Sequence, residues 1–279
     1  MAFTKFQRTV WSTQFDKSLE KITSLRKHSD FKYERDSKNA KEIKILGVVR
    51  PTIKTYVKGT PLEREVATDR DMTLVIDTFK YFNFLVYDVD KVQSTPGAME
   101  LLTDEASRGL AEEGDKKVAA IIKEATEADE NPLAQSSSIV TLTKTNVVDT
   151  VEAGFASLYE NDCKVQDNYH LEVAPKFFTT LRPALTELYT NNVEMAKKGY
   201  VGSYGNAKVS IENLLPKSDA GDAVYNILRT DKAVAFVEQI NELEPYRPDD
   251  DFGDALKGLY GCGALITRPK EIYIIKTAV

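Results

Sequence analysis

The chain has 279 residues, 42% hydrophobic and 29% charged, with a net charge of −6, enough to bury one large domain or two small ones. It has no run of eighteen apolar residues, which excludes a helical membrane span, and Met1–Val10 lacks the apolar centre of a signal peptide. Its two cysteines, Cys163 and Cys262, are far apart and outside any CxxC spacing, which argues against a disulfide framework or a structural zinc site and for a reducing compartment.

Residues 1–44 carry eleven Lys/Arg against six Asp/Glu, so a basic arm precedes an acidic body. Such an arm could touch nucleic acid or an acidic patch on a sister subunit; a dedicated DNA reader would be far more basic, which favours the subunit. Within it Trp11, Phe15, Leu19, Ile22 and Leu25 recur at helical spacing and mark one face of an amphipathic helix. That helix either docks on its own domain or on a neighbour, because polar Ser29–Glu42 separates it from the next apolar segment.

Ile43–Tyr56 is rich in β-branched residues and reads as extended, interrupted at Gly47 and at Arg50-Pro51. Met72–Asp90 is a second extended run, and Lys58-Gly59-Thr60-Pro61 supplies the turn between them, followed by Glu63-Arg64-Glu65. The pattern predicts a hairpin with a polar tip. Fifteen extended residues span ~50 Å, against a radius of gyration of ~19 Å for a compact chain of this length. The hairpin therefore projects, unless it bends at Pro51 and folds back on its own sheet. A projecting two-stranded ribbon is marginal alone, and a second subunit is the economical cover for its edges.

Thr95-Pro96 offers an N-cap and first-turn proline, after which Leu102, Ala106, Leu110, Val118, Ile122 and Ala125 form one apolar line; Ala98–Ala125 is predicted as a helix of ~42 Å. Glu127–Ser138 reads as a linker. A helix with Val148, Val151, Phe155 and Leu158 follows, then a strand over Tyr169–Ala174 running into a Pro175-initiated helix with Phe178, Leu181, Leu185 and Leu188. Val209–Ile211 and Val224–Leu228 are predicted strands and Ala233–Ile240 a helix. Ala255–Leu259, Ala264–Ile266 and Ile272–Lys276 are predicted strands. The class is α+β, without a βαβ rhythm for a doubly wound sheet.

Chemistry-bearing patterns are sparse. His28 and His170 are the only histidines, and neither has the context of a hydrolytic triad or a zinc protease helix. Gly199, Gly202 and Gly205 lead towards a strand, so they read as a turn and not as a phosphate loop. Asp88 and Asp90 share a strand face beside Lys91 without a third carboxylate, which favours capping and ion pairing at the hairpin base over a metal site. Asp249-Asp250-Asp251 lacks the alternation and glycine of a calcium loop. Paired carboxylates for glycoside hydrolysis stay open, since sequence spacing does not reveal them. No metal and no cofactor are expected.

In order of parts, the chain resembles the tailed-bacteriophage major capsid proteins. The resemblance runs through Val10-Trp11-Ser12 and its helix, Arg50-Pro51-Thr52-Ile53, Tyr56-Val57-Lys58-Gly59-Thr60, Leu74-Val75-Ile76-Asp77 and Asp88-Val89-Asp90-Lys91-Val92-Gln93. It continues through Leu171-Glu172-Val173-Ala174-Pro175-Lys176-Phe177-Phe178, Ala235-Phe236-Val237-Glu238-Gln239-Ile240, Tyr246-Arg247, Phe252-Gly253-Asp254, Lys257-Gly258-Leu259-Tyr260, Gly263-Ala264 and Arg268-Pro269. No single motif is diagnostic; the shared order carries the likeness over nearly the whole chain.

That resemblance implies an N-terminal arm (1–42), an extended loop (43–87), a peripheral domain on a long spine helix (88–138 and 236–264) and an axial domain (139–235 and 265–279). It implies a coat protein, not an enzyme, that assembles as hexamers and pentamers into an icosahedral shell around double-stranded DNA, in virions built in the host cytoplasm. Implied inter-subunit contacts are Trp11 and Phe15 in the arm and Lys58, Gly59, Glu63, Arg64 and Glu65 in the loop. Without a long helical N-terminal extension, assembly would use a separate scaffolding protein, with a portal and a decoration protein as further partners and no membrane. Some members cross-link loop lysines; Lys58 is suggestively placed, but its acceptor and the carboxylate such a bond needs are not evident, so none is carried over. The alternatives are a bacterial nanocompartment shell of the same fold and an unrecognised α+β enzyme.

Overall fold

The computed structural model describes residues 24–37, 41–48, 51–56, 58–59, 61, 64, 69–87, 98–188 and 202–279. Strands β1 (Glu42–Val48), β2 (Asp69–Val75) and β3 (Thr78–Tyr87) come first, then the long helix α1 (Ala98–Glu127). Next are β4 (Ala134–Gln135), α2 (Val147–Glu160), β5 (Tyr169–Val173) and α3 (Pro175–Leu188). The remainder is strand: β6 (Ser203–Tyr204), β7 (Ala207–Ile211), β8 (Ala223–Thr230), β9 (Val234–Tyr246), β10 (Gly253–Ile266) and β11 (Ile272–Ala278).

These strands form three sheets: β1-β2, β3-β10-β9 and the six-stranded β4-β11-β8-β5-β7-β6. In the largest, period-two alternation separates two cores. Tyr169, Leu171 and Val173 of β5, Leu228 of β8 and Tyr273 and Ile275 of β11 meet Val151, Phe155 and Leu158 of α2 and Phe177 and Leu181 of α3. The other face, with Ile227, Ile272 and Ile274, packs in a second core with Val118 and Ile122 of α1, Phe236 of β9 and Tyr260 of β10. A smaller third core joins Ile43, Ile45, Leu74 and Ile76 to Ala235 and Val237.

Three sequence expectations are corrected. Ala233–Ile240 is not a helix; Val234 onward is strand β9. Residues 233–237 are fully buried, with Val234 and Phe236 in the core beneath α1 and Ala235 and Val237 in the core beneath the loop. A strand buried on both faces is continuously apolar and shows no period of two. Nor is Met72–Asp90 one hairpin arm. β2 pairs with β1, Ile45 opposite Met72, whereas β3 crosses to pair with β10, Phe84 opposite Leu256. The ladder is thus seven residues long, and its bend falls at Ile76-Asp77. Finally, Ala255–Leu259 and Ala264–Ile266 are one strand. Its glycines allow close approach: a Cβ at Gly263 would lie 2.5 Å from the Val75 carbonyl oxygen.

Along α1 the apolar line is buried at Val118 and Ile122 and half-buried at Leu110, but Leu102 is exposed. The turn at Gly205 lies between β6 and β7, with φ +56°. Thr95, Pro96, Asp88, Asp90 and Gly199 fall outside the described residues.

Candidate assembly surfaces

The extended loop is built on the β1-β2 ladder. Ile43 and Ile45 point inward with Leu74 and Ile76 and grip β9 through Ala235 and Val237. Alternation turns Leu46 outward, and it is exposed. Pro51–Tyr56 is exposed throughout, with Ile53 84% and Tyr56 68% accessible. Together these open side chains make an exposed apolar surface. Past them, Lys58 and Gly59 form an exposed turn, and Gly59 has φ +93°, a left-handed conformation that glycine adopts without a Cβ clash. Arg64 is exposed as well. Trp11, Phe15, Glu63 and Glu65 lie outside the described residues.

The base of the loop is fastened to the spine helix. Lys117 of α1 meets Asp77 at 2.7 Å, and its hydrogen bond holds the Asp77 carboxyl below the usual carboxylate range. Lys80 of β3 reaches Glu113 at 3.1 Å. A second apolar surface lies on β3, where Phe79 and Tyr81 alternate outward; Tyr81 is 78% exposed.

Sequence reading missed the most heavily bonded cluster, at the root of the N-terminal arm. Glu172 on β5 and Arg229 on β8 are both fully buried, and Arg229 donates Nε to Oε2 at 3.0 Å and Nη2 to Oε1 at 2.9 Å. Nη2 also donates to the Leu25 carbonyl at 2.6 Å, and Nη1 to Ser29 Oγ at 3.2 Å. His28 Nδ1 lies 2.9 Å from Glu172 Oε1, and its ring stacks on His170 with centroids 4.0 Å apart. Burial opposes ionisation of Glu172, but Arg229 and His28 together outweigh it and hold the carboxyl below its ordinary range. Two more carboxylates cap the same segment: Ser24 N–H donates to Glu212 at 2.6 Å and Arg26 N–H to Asp115 at 2.6 Å. Burial pushes Glu212 upward, helped by Asp115 and Glu172. Asp30 continues the grip, donating to the Val234 carbonyl at 2.8 Å and accepting from Phe236 N–H at 3.0 Å. One signal was legible: Glu172 and Arg229 are lone charges within apolar strands, and each needs a buried partner.

A recess of about 600 Å³ is lined by Cys163, Lys164, Asp167, Lys232, Arg268 and Glu271, among others. Two ion pairs lie in its wall, Lys232 on Asp167 at 3.1 Å and Arg268 on Glu271 at 2.9 Å, and burial pushes the Cys163 thiol up to about 11. A thiol so shifted is protonated at neutral pH and a weak nucleophile. Among the described residues, no group of three His, Cys, Asp or Glu could hold a metal ion.

No family model matches the chain, and no curated protein matches it. Solved structures do. A structure from Mycobacterium phage Che8 is 23% identical, with a TM-score of 0.84 and 98% of each chain covered. The capsid structure of cyanophage P-SCSP1u is 16% identical, with a TM-score of 0.78 over 98% of this chain and 94% of that one. The capsid of a native GTA particle is 11% identical, with a TM-score of 0.75 over 99% and 97%. The chain therefore has the α+β fold of the tailed-phage capsid proteins along nearly its whole length.

Proposed function

We propose that this chain is the major capsid protein of a tailed bacteriophage, which assembles as hexamers and pentamers into an icosahedral shell enclosing double-stranded DNA. The observation that carries the reading is the exposed ladder and loop, with Leu46, Ile53 and Tyr56 open, on a body that has the capsid fold. An apolar ribbon of this kind is satisfied only by a neighbour. Every copy would offer its loop and receive one, so contacts close around a ring.

On this reading the loop, with Lys58, Gly59, Glu63, Arg64 and Glu65, lies over an adjacent subunit, and the arm bearing Trp11 and Phe15 makes a second contact. The sheet β3-β10-β9 with α1 is the peripheral domain, and the six-stranded sheet with α2 and α3 is the axial domain. The role is structural and needs no cofactor. Packaged DNA is held without sequence specificity, in keeping with an acidic chain of net charge −6. A scaffolding protein, a portal and possible decoration proteins are its partners, and the virion, assembled in the host cytoplasm, its location.

Co-expression with the scaffold, followed by sedimentation and nuclease treatment, tests this. Large closed particles that protect DNA are expected. A monomer or dimer under every assembly condition overturns the shell reading, and particles that enclose a protein cargo instead of DNA select a nanocompartment.

A further inference from the structure

We propose that the stacked His28–His170 pair is a proton-operated latch on the root of the N-terminal arm. With at most one proton on the pair, residues 24–30 stay locked to the six-stranded sheet; a second proton releases them. The inference concerns the isolated subunit and does not rest on the shell reading.

The geometry makes the two rings unequal. His28 has a partner for a proton, since its Nδ1 lies 2.9 Å from Glu172 Oε1. His170 has none at Nδ1: the residue is buried and that atom has no hydrogen-bond partner. A proton placed there would create a buried N–H without an acceptor and a cation stacked 4.0 Å from His28. Among the groups facing the pair, Glu172 favours a proton on His170 but is outweighed. Arg229 on β8 and Lys208 on β7 are cationic, and Glu172, the facing anion on β5, already accepts two bonds from Arg229 and lies against His28. Burial, then His28, accordingly push His170 down to about 4.

Glu212 and Glu172, which also hold the root, do not mimic this response. Glu212 is shifted upward, so its protonation favours the folded form as pH falls. Glu172 is shifted downward from 4.5 and weakens the clamp only at more acidic pH. From about pH 6.5 towards 4, a proton on His170 drives release. What it frees is the segment through which residues 1–23 join the body, while β5 and β8 stay paired by their backbone ladder.

Hydrogen exchange of the soluble wild-type subunit between about pH 7 and pH 4, corrected for the intrinsic rate, reads the latch. The expected result is a loss of protection of at least about tenfold in residues 24–30, with residues 223–230 unchanged. Because the chain has only two histidines, their imidazole proton resonances can be followed directly; one should titrate well below the ordinary range. His170→Phe keeps a stacked ring without a titrating site and should abolish the pH dependence; His28→Asn, which removes the stack but keeps a donor towards Glu172, should weaken it if His170→Phe does not fold. Wild-type protection that stays constant over this range, protection lost equally in a folded variant, or two imidazoles that both titrate near 6.5 would each overturn the proposal.

Discussion

Replacing Glu172 by Gln changes one buried charge and almost no volume, so its cost can be worked from the clamp itself. The pair is fully buried, and Arg229 gives both Nε and Nη2 to the carboxylate. The amide would leave the guanidinium without a counter-ion in the core and turn an N–H₂ group towards its donors. Breaking a buried pair on one side costs ~3–5 kcal/mol, because the survivor remains desolvated. At ~2–4 °C per kcal/mol for a large domain, melting should fall by about 10 °C. Urea denaturation of the isolated subunit at neutral pH measures this directly. Glu172→Leu combined with Arg229→Met should recover most of the loss, since neither charge is stranded; what stays lost is the support of the Leu25 carbonyl and Ser29 Oγ, ~1–3 kcal/mol. A Glu172→Gln subunit within about 1 kcal/mol of wild type, or a double variant as unstable as the two single losses added together, would refute the reasoning.

Ile122→Ala, at a fully buried position of α1, should cost ~2–5 kcal/mol in urea, whereas Leu102→Ala on the exposed end of the same apolar line should stay within about 0.5 kcal/mol. Gly263→Ala would drive a Cβ to 2.5 Å from the Val75 carbonyl oxygen, so the β2-β10 junction must shift; a cost of ~1–3 kcal/mol and faster hydrogen exchange in residues 69–77 are expected. Because the folded pKa of His170 lies below the unfolded value of 6.5, the unfolded chain binds more protons from 6.5 down to about 4, and stability falls with pH across that window. Unfolding midpoints measured across it should show a loss on the order of 3 kcal/mol that disappears in His170→Phe.

The sequence announced those parts whose apolar pattern has one clear period. α1 was legible because its buried residues repeat on one face, and Tyr169–Ala174 leading into Pro175 because a short strand with Tyr169, Leu171 and Val173 on one face meets a proline at the first helical turn. β9 was not: packing on both sides makes it apolar at every step from 233 to 237, which imitates a helix as well as a strand. The split at Ile76-Asp77 was hidden for another reason. Both halves of Met72–Asp90 are extended, and only the long-range choice of partner, β1 for one and β10 for the other, divides them. The arm root is the clearest omission. His28, Glu172 and Arg229 lie 144 and 57 residues apart, so no local pattern joins them; only the unexplained charges inside β5 and β8 hinted at it.

Imaging particles assembled from the full chain tests the central claim most directly, alongside a variant lacking Val57–Glu65. The account expects closed icosahedral shells in which the segment around Ile53 and Tyr56 is covered by a neighbouring subunit, and a variant that folds as a subunit but assembles poorly. Shells that form equally well without those residues, or wild-type particles in which Ile53 and Tyr56 remain open to solvent, would contradict it.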